Sequence, residues 1–187
     1  MGPRYSHAMR QHQSLSKIWL ISDERNDSVL ERALDNLPRG SGFIYRHYHL
    51  DEAARWARFQ ALRRRGQSRD HMLILADSAQ TAREWGAHGI YGAPLSLTPK
   101  RRDLVQLATA HNAREIAAAY RKSADAVLLS PVFPTASHPG EPVLGISRFR
   151  SLAKLSPVPV IALGGMSVTK ARALKWERWA AIDGLSG

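Results

Sequence analysis

Short apolar runs alternate with stretches whose apolar positions recur every three or four residues, and the alternation holds almost unbroken from Lys17 to Ile182. Residues 17–22 predict a strand, and 27–37, with Val29, Leu30, Ala33, Leu34 and Leu37 at helical spacing, predict the helix after it. Residues 42–49 predict a second strand. Asp51 then predicts the N-cap of a helix over 51–64 that places Ala54, Trp56, Ala57, Phe59 and Leu62 around it. A third strand is expected over 71–76, with Asp77 or Ser78 capping a helix that runs through Trp85, and a brief fourth over 88–91. Strands five and six fall at 104–110 and 125–129 around a helix at 113–122. Helices at 146–155 and 168–176 enclose strand seven at 158–163, and 179–182 is strand eight.

The strands are apolar throughout rather than alternating, which is the mark of parallel strands buried on both faces. About eight of them, separated by helices, predict a small (β/α)8 TIM barrel. A doubly wound open sheet has the same periodicity and stands as the competing architecture. The chain has 187 residues, against about 250 typical of the barrel fold, and stops soon after strand eight, so the last covering helix is expected to be missing or supplied elsewhere.

Composition narrows this further. A single domain is expected over residues 14–187, with 1–13 a polar, aperiodic and disordered leader. There is no cysteine, hence no disulfide framework, thiolate metal site or cysteine nucleophile. No apolar run approaches the roughly 18 residues that span a bilayer, so a cytoplasmic protein without a membrane partner is expected. The formal charge of +11 favours phosphate-rich partners. The basic groups Arg63-Arg64-Arg65 and Lys100-Arg101-Arg102 lack interleaved aromatics, which points to solvated surface charge and small phosphorylated substrates, not nucleic acid. A homodimer stays open.

Two strand ends carry the candidate chemistry. Ser130–Gly140 (SPVFPTASHPG) and Val158–Met166 (VPVIALGGM) each end an apolar run in small, hydroxylated or glycine residues, and Gly164 and Gly165 let backbone N–H groups approach an anion. The same pair also serves a tight strand-to-helix turn.

These segments, with Leu144-Gly145 between them, resemble the thiamine phosphate synthase family, which includes the thiazole tautomerases. The resemblance implies a TIM barrel that joins hydroxymethylpyrimidine pyrophosphate to thiazole phosphate with Mg²⁺ assistance, releasing pyrophosphate. It implies phosphate contacts from Thr135, Ser137, Gly164 and Gly165, and places His138 where synthases have a lysine. Thr109 and His111 match the family's Ser-x-His, His111 either orienting substrate or capping the next helix with Asn112. Asp77 matches one metal ligand, with a helix N-cap as its other use.

The departures are equally specific. Tyr91–Ser96 has no carboxylate where synthases place a second metal-binding aspartate. Strand two ends in Arg46, His47 and His49 instead of Gln-x-Arg, leaving Arg46 as the phosphate-binding candidate. Asp183 stands where a phosphate-binding serine is expected, and Ser186 is the nearby replacement. The tautomerase branch has a histidine where this chain has Pro131. Three functions follow: a divergent synthase, a tautomerase-like isomerase using a mouth histidine, or a noncatalytic binder of thiazole phosphate or thiamine phosphate.

Overall fold

The computed structural model describes residues 15–97, 103–137 and 139–185. Eight strands form its centre: β1 (Ile18–Ile21), β2 (Gly42–Tyr45), β3 (Met72–Leu75), β4 (Gly89–Gly92), β5 (Val105–Ala110), β6 (Ala126–Leu129), β7 (Val160–Ala162) and β8 (Trp179–Ala181). They pair in chain order, all parallel, and β8 pairs back to β1 through Ile18↔Trp179. That last pairing closes the barrel and removes the open-sheet alternative. Around it lie α1 (Leu30–Asn36), α2 (Glu52–Ser68), α3 (Ala79–Trp85), α4 (Ala113–Arg121), α5 (Gly145–Lys154) and α6 (Val168–Leu174).

Each strand contributes to two cores, because successive side chains point to opposite faces. Trp19, Ile21, Ile44, Ile74, Leu107, Leu128 and Ile161 fill the barrel interior, while Leu20, Phe43, Tyr45, Leu73, Val127 and Leu129 pack under the helices. Trp19 opposes Gly42 across the β1–β2 ladder, and a Cβ on Gly42 would lie 2.0 Å from the Trp19 ring. Only glycine leaves space for the indole there.

Several expected elements differ. The first helix begins earlier than residue 27, with a 3-10 turn at Glu24–Val29 capped by Asp23, whose carboxylate accepts the Arg25 N–H while Asn26 accepts the Asp23 N–H. The buried face of α2 is Arg55, Phe59, Leu62 and Gly66; Trp56, Ala54 and Ala57 are exposed. Apolar residues alone do not mark this face, since the strip that meets the barrel includes an arginine. Strand two ends at Tyr45 because His47 takes a positive φ of 41°. Ser78, not Asp77, caps α3 by accepting the Thr81 N–H. Between β4 and β5 the described residues hold only a 3-10 turn, Pro94–Ser96, and β8 runs into another, Asp183–Leu185. The leader at 1–13 and the Lys100-Arg101-Arg102 group lie outside the described residues. In the other basic group, Arg63 donates to the Gly86 carbonyl and Arg65 pairs with Asp35. No helix among the described residues is long and apolar enough to cross a membrane.

Candidate functional site

The loops after β6 and β7 lock together through their backbones. Val132 N–H donates to Leu163 O at 2.8 Å and Phe133 N–H to Gly164 O at 3.1 Å. Leu144 and Gly145 fold back onto Pro131 and Val132 at 2.8 and 3.0 Å, closing the loop into α5. The Ser130–Pro131 peptide is cis. Gly164 and Gly165 have φ of 98° and 59°, and a Cβ on Gly165 would lie 2.2 Å from Pro134 O. Both glycines are therefore required by the turn and by the close approach of the two loops.

These loops wall a cavity of about 500 Å³ at the C-terminal ends of the strands. Arg46 from the end of β2, Thr109 and His111 from β5 and its loop, Thr135 and Ser137 from the β6 loop, and Gly164 and Gly165 after β7 all line it. Asp77 does not: it borders a separate concavity with Tyr48, Arg55 and Trp85. His138 and Ser186 lie outside the described residues. Two further lining residues, Tyr91 and Lys170, carry no signal in the sequence that marks them for the site. Tyr91 lies in a segment defined by its missing carboxylate, and Lys170 sits in a helix whose register against the barrel decides whether it faces the mouth.

A chain of charges runs across this mouth. Asp23 accepts from Arg46 Nη2 at 2.6 Å and from Arg25 Nε at 2.9 Å. Arg25 continues to Ser137 Oγ at 2.9 Å and pairs with Asp183 at 3.4 Å. Burial works against the Asp23 carboxylate, but the hydrogen bonds from Arg25 and the charges of Arg25 and Arg46 hold it below the ordinary value. Asp183, standing where a phosphate-binding serine is expected, is thus balanced by a cation with no recognisable motif. Burial pushes the Tyr91 phenol up to about 12, so it stays a neutral hydroxyl beside Arg46.

The histidines divide. His111, half exposed on the cavity wall, has Nδ1 2.8 Å from Glu115 Oε2, while Asn112 caps α4 by accepting the Glu115 N–H at 3.0 Å. The capping task belongs to Asn112, and Glu115 fixes the imidazole. His47 is buried between Ser22 Oγ at 2.9 Å and Asp27 Oδ1 at 2.7 Å. Asp27 accepts from Nε2–H, which leaves Nδ1 to accept from the Ser22 hydroxyl. Burial lowers the His47 pKa, keeping the ring neutral. It is a structural residue of the β1–β2 corner; His49 is exposed beside it, ring centroids 5.1 Å apart.

Asp77, the candidate Mg²⁺ ligand, is already engaged by the chain. One carboxylate, Asp77, stands at the end of β3, and its Oδ2 lies 2.5 Å from Arg55 Nη1 while Oδ1 accepts the Ser78 N–H at 2.6 Å. Arg55 also donates to Ala76 O and Arg46 O, so the guanidinium is anchored in place. A dication needs hard oxygen ligands that are free to face it. No group of three or more acidic or imidazole side chains suited to a metal occurs among the described residues.

Comparison with known proteins agrees with this architecture. Thiamine-phosphate synthase of Koribacter versatilis is 29% identical over 109 residues, covering 54% of this chain and 52% of that protein. The thiamine-phosphate synthase of Thermosynechococcus vestitus is 26% identical over 168 residues, 86% of this chain and 47% of its own. The matches thus span about half the length of these curated relatives. The solved structure of thiamine phosphate pyrophosphorylase from Pyrococcus furiosus superposes with a TM-score of 0.75 at 22% identity, covering 91% of this chain and 87% of that one, which establishes the shared fold. The family model for thiamine monophosphate synthase matches residues 18–185, from the first residue of β1 to the turn after β8. With barrel, interlocked loops and family model in agreement, the chain belongs to the thiamine monophosphate synthase family.

Proposed function

We propose that the cavity couples hydroxymethylpyrimidine pyrophosphate to thiazole phosphate, forming thiamine phosphate. The observation that carries this reading is the convergence of hydroxyls from β5 and the β6 loop, Thr109, Thr135 and Ser137, with Arg46 and the glycine turn on one cavity of about 500 Å³. That size suits small, mostly buried ligands. In the coupling, the bond between the pyrimidine methylene carbon and its pyrophosphate oxygen breaks with its electron pair leaving on pyrophosphate. The thiazole nitrogen donates its lone pair to that carbon, and no proton moves at the reacting atoms. The requirement is therefore alignment and neutralisation of the departing anion. Arg46 and the hydroxyls of Thr135 and Ser137 supply donors for it, and the neutral Tyr91 hydroxyl adds another.

A Mg²⁺ ion, in synthases that bind it, shields the same anion; here that task falls to the chain's own donors. A second reading, a tautomerase-like isomerase, is favoured by one observation: His111 is the single histidine among the described residues on the cavity wall, and Glu115 orients it.

The test is product formation from both substrates by the full chain, with Mg²⁺ and with chelator. Thiamine phosphate should appear in both, and Arg46→Met should lower kcat/KM at least about tenfold, the loss of a charge-assisted contact. If both substrates bind yet no thiamine phosphate forms, the coupling reading is wrong; turnover of the thiazole alone, abolished by His111→Gln, would establish the isomerase.

A further inference from the structure

The cations at the cavity mouth are not equivalent. Arg46 has a carboxylate at 2.6 Å, and Arg25 spans Asp23 at 2.9 Å and Asp183 at 3.4 Å. Their charge is largely answered before any substrate arrives. Lys170 lines the same cavity from α6, half-buried, and makes no ion pair among the described residues. Its Nζ lies 5.3 Å from the centroid of the Phe133 ring. Phe133 is itself held by the 3.1 Å bond from its N–H to Gly164 O, so the ammonium rests against a fixed part of the wall between the β6 and β7 loops.

An ammonium gains only about 0.5–2 kcal/mol from an aromatic face. Its three N–H donors still need acceptors. A lysine that merely lays its stem along apolar surface sends the charge outward to water; here the aromatic contact keeps it at the cavity wall, where the hydroxyls of Thr135 and Ser137 also converge.

We propose that Lys170 holds the anionic group of the substrate, the phosphate or pyrophosphate oxygens, in this cavity. The inference rests on reading the cavity as a phosphate site, and adds which residue brings the uncompensated charge. The family resemblance puts a lysine at position 138, where this chain has histidine. Lys170 brings its ammonium to the same β6 loop from the next β/α unit, against the Phe133 ring.

Calorimetric titration of the full chain with inorganic pyrophosphate tests this, using wild type, Lys170→Met and Lys170→Arg, with thermal unfolding confirming that each is folded. Lys170→Met should weaken binding at least tenfold, while Lys170→Arg stays within threefold of wild type. Lys170→Gln, which keeps a polar end, is the second variant should Lys170→Met fail to fold. Wild-type affinity in the Lys170→Met or Lys170→Gln variant overturns this inference and leaves the cavity reading intact. Absence of pyrophosphate binding to wild type overturns both.

Discussion

Arg25 donates from Nη2 to the hydroxyl of Ser137 at 2.9 Å, joining residues 112 positions apart. The same guanidinium reaches Asp23 and Asp183, so one side chain ties the ends of β1, β6 and β8 around the cavity. Exposed ion pairs of this kind contribute little to global stability, about 0–1 kcal/mol. Their effect should fall on loop position. Arg25→Ala is expected to weaken phosphate binding about threefold to tenfold, the scale of one ordinary hydrogen bond, while changing the unfolding free energy by less than about 1 kcal/mol. Unaltered phosphate affinity in that variant, measured by titration, would remove the clamp.

Asp77 and Arg55 form a partly buried pair at 2.5 Å, with the guanidinium also packed between the Tyr48 and Trp85 rings, 5.7 and 5.4 Å away. Asp77→Asn leaves that guanidinium without its counter-charge. Urea denaturation should show a loss of about 1–3 kcal/mol. Mg²⁺ or chelator should leave wild-type melting unchanged; a Mg²⁺-dependent rise in Tm that Asp77→Asn abolishes would show that Asp77 binds metal after all.

Two glycines separate backbone strain from steric fit. Gly40 has φ of 74° with open space where a Cβ would stand, no atom lying within 4 Å, whereas Gly165 at 59° would place Cβ 2.2 Å from Pro134 O. Gly40→Ala should cost about 1–2 kcal/mol, the penalty of a left-handed residue. Gly165→Ala should cost more, because the β6 loop must also move, and should weaken phosphate binding as well. Equal costs for the two, by urea denaturation, would contradict the interlocked loops.

Acid should destabilise the protein before its carboxylates titrate. Burial lowers the pKa of His47, against the pull of Asp27, and that of His71, which donates from Nε2 to Leu34 O at 2.9 Å. The unfolded chain then binds more protons than the folded one below about pH 6.5, so stability falls as pH drops from there towards the lowered folded values. A second loss follows at lower pH: burial raises the Asp27 carboxyl, but hydrogen bonds from His47 and Arg58 outweigh it and leave its pKa below the ordinary value. Urea midpoints at pH 7, 6 and 5 should fall progressively, and His71→Gln should flatten the first part of that slope. A midpoint constant from pH 7 to 5 would show that neither histidine is held neutral.

The barrel and the two strand-end motifs were legible because they rest on local rules. A doubly buried parallel strand must be apolar along its whole length, and a loop that turns sharply against its neighbour needs glycine, as at Gly164 and Gly165. Those rules hold residue by residue, whatever the rest of the chain does. Element boundaries suffered where side chains intervene: Asp23 and Asn26 start the first helical turn early, and His47 ends β2 early.

What only the tertiary structure decided is which charges meet. The burial of Arg55 follows from α2's rotation against the barrel, and once there it takes Asp77, the carboxylate whose sequence position suggested a metal. Arg25 and Asp183 join only because closure of β8 onto β1 brings their loops together. Lys170 reaches the cavity because the loops after β6 and β7 interlock beside it. Apolar pattern records whether a position is buried; ion pairing depends on distances of a few ångströms between residues far apart in the chain, and only the closed barrel sets those.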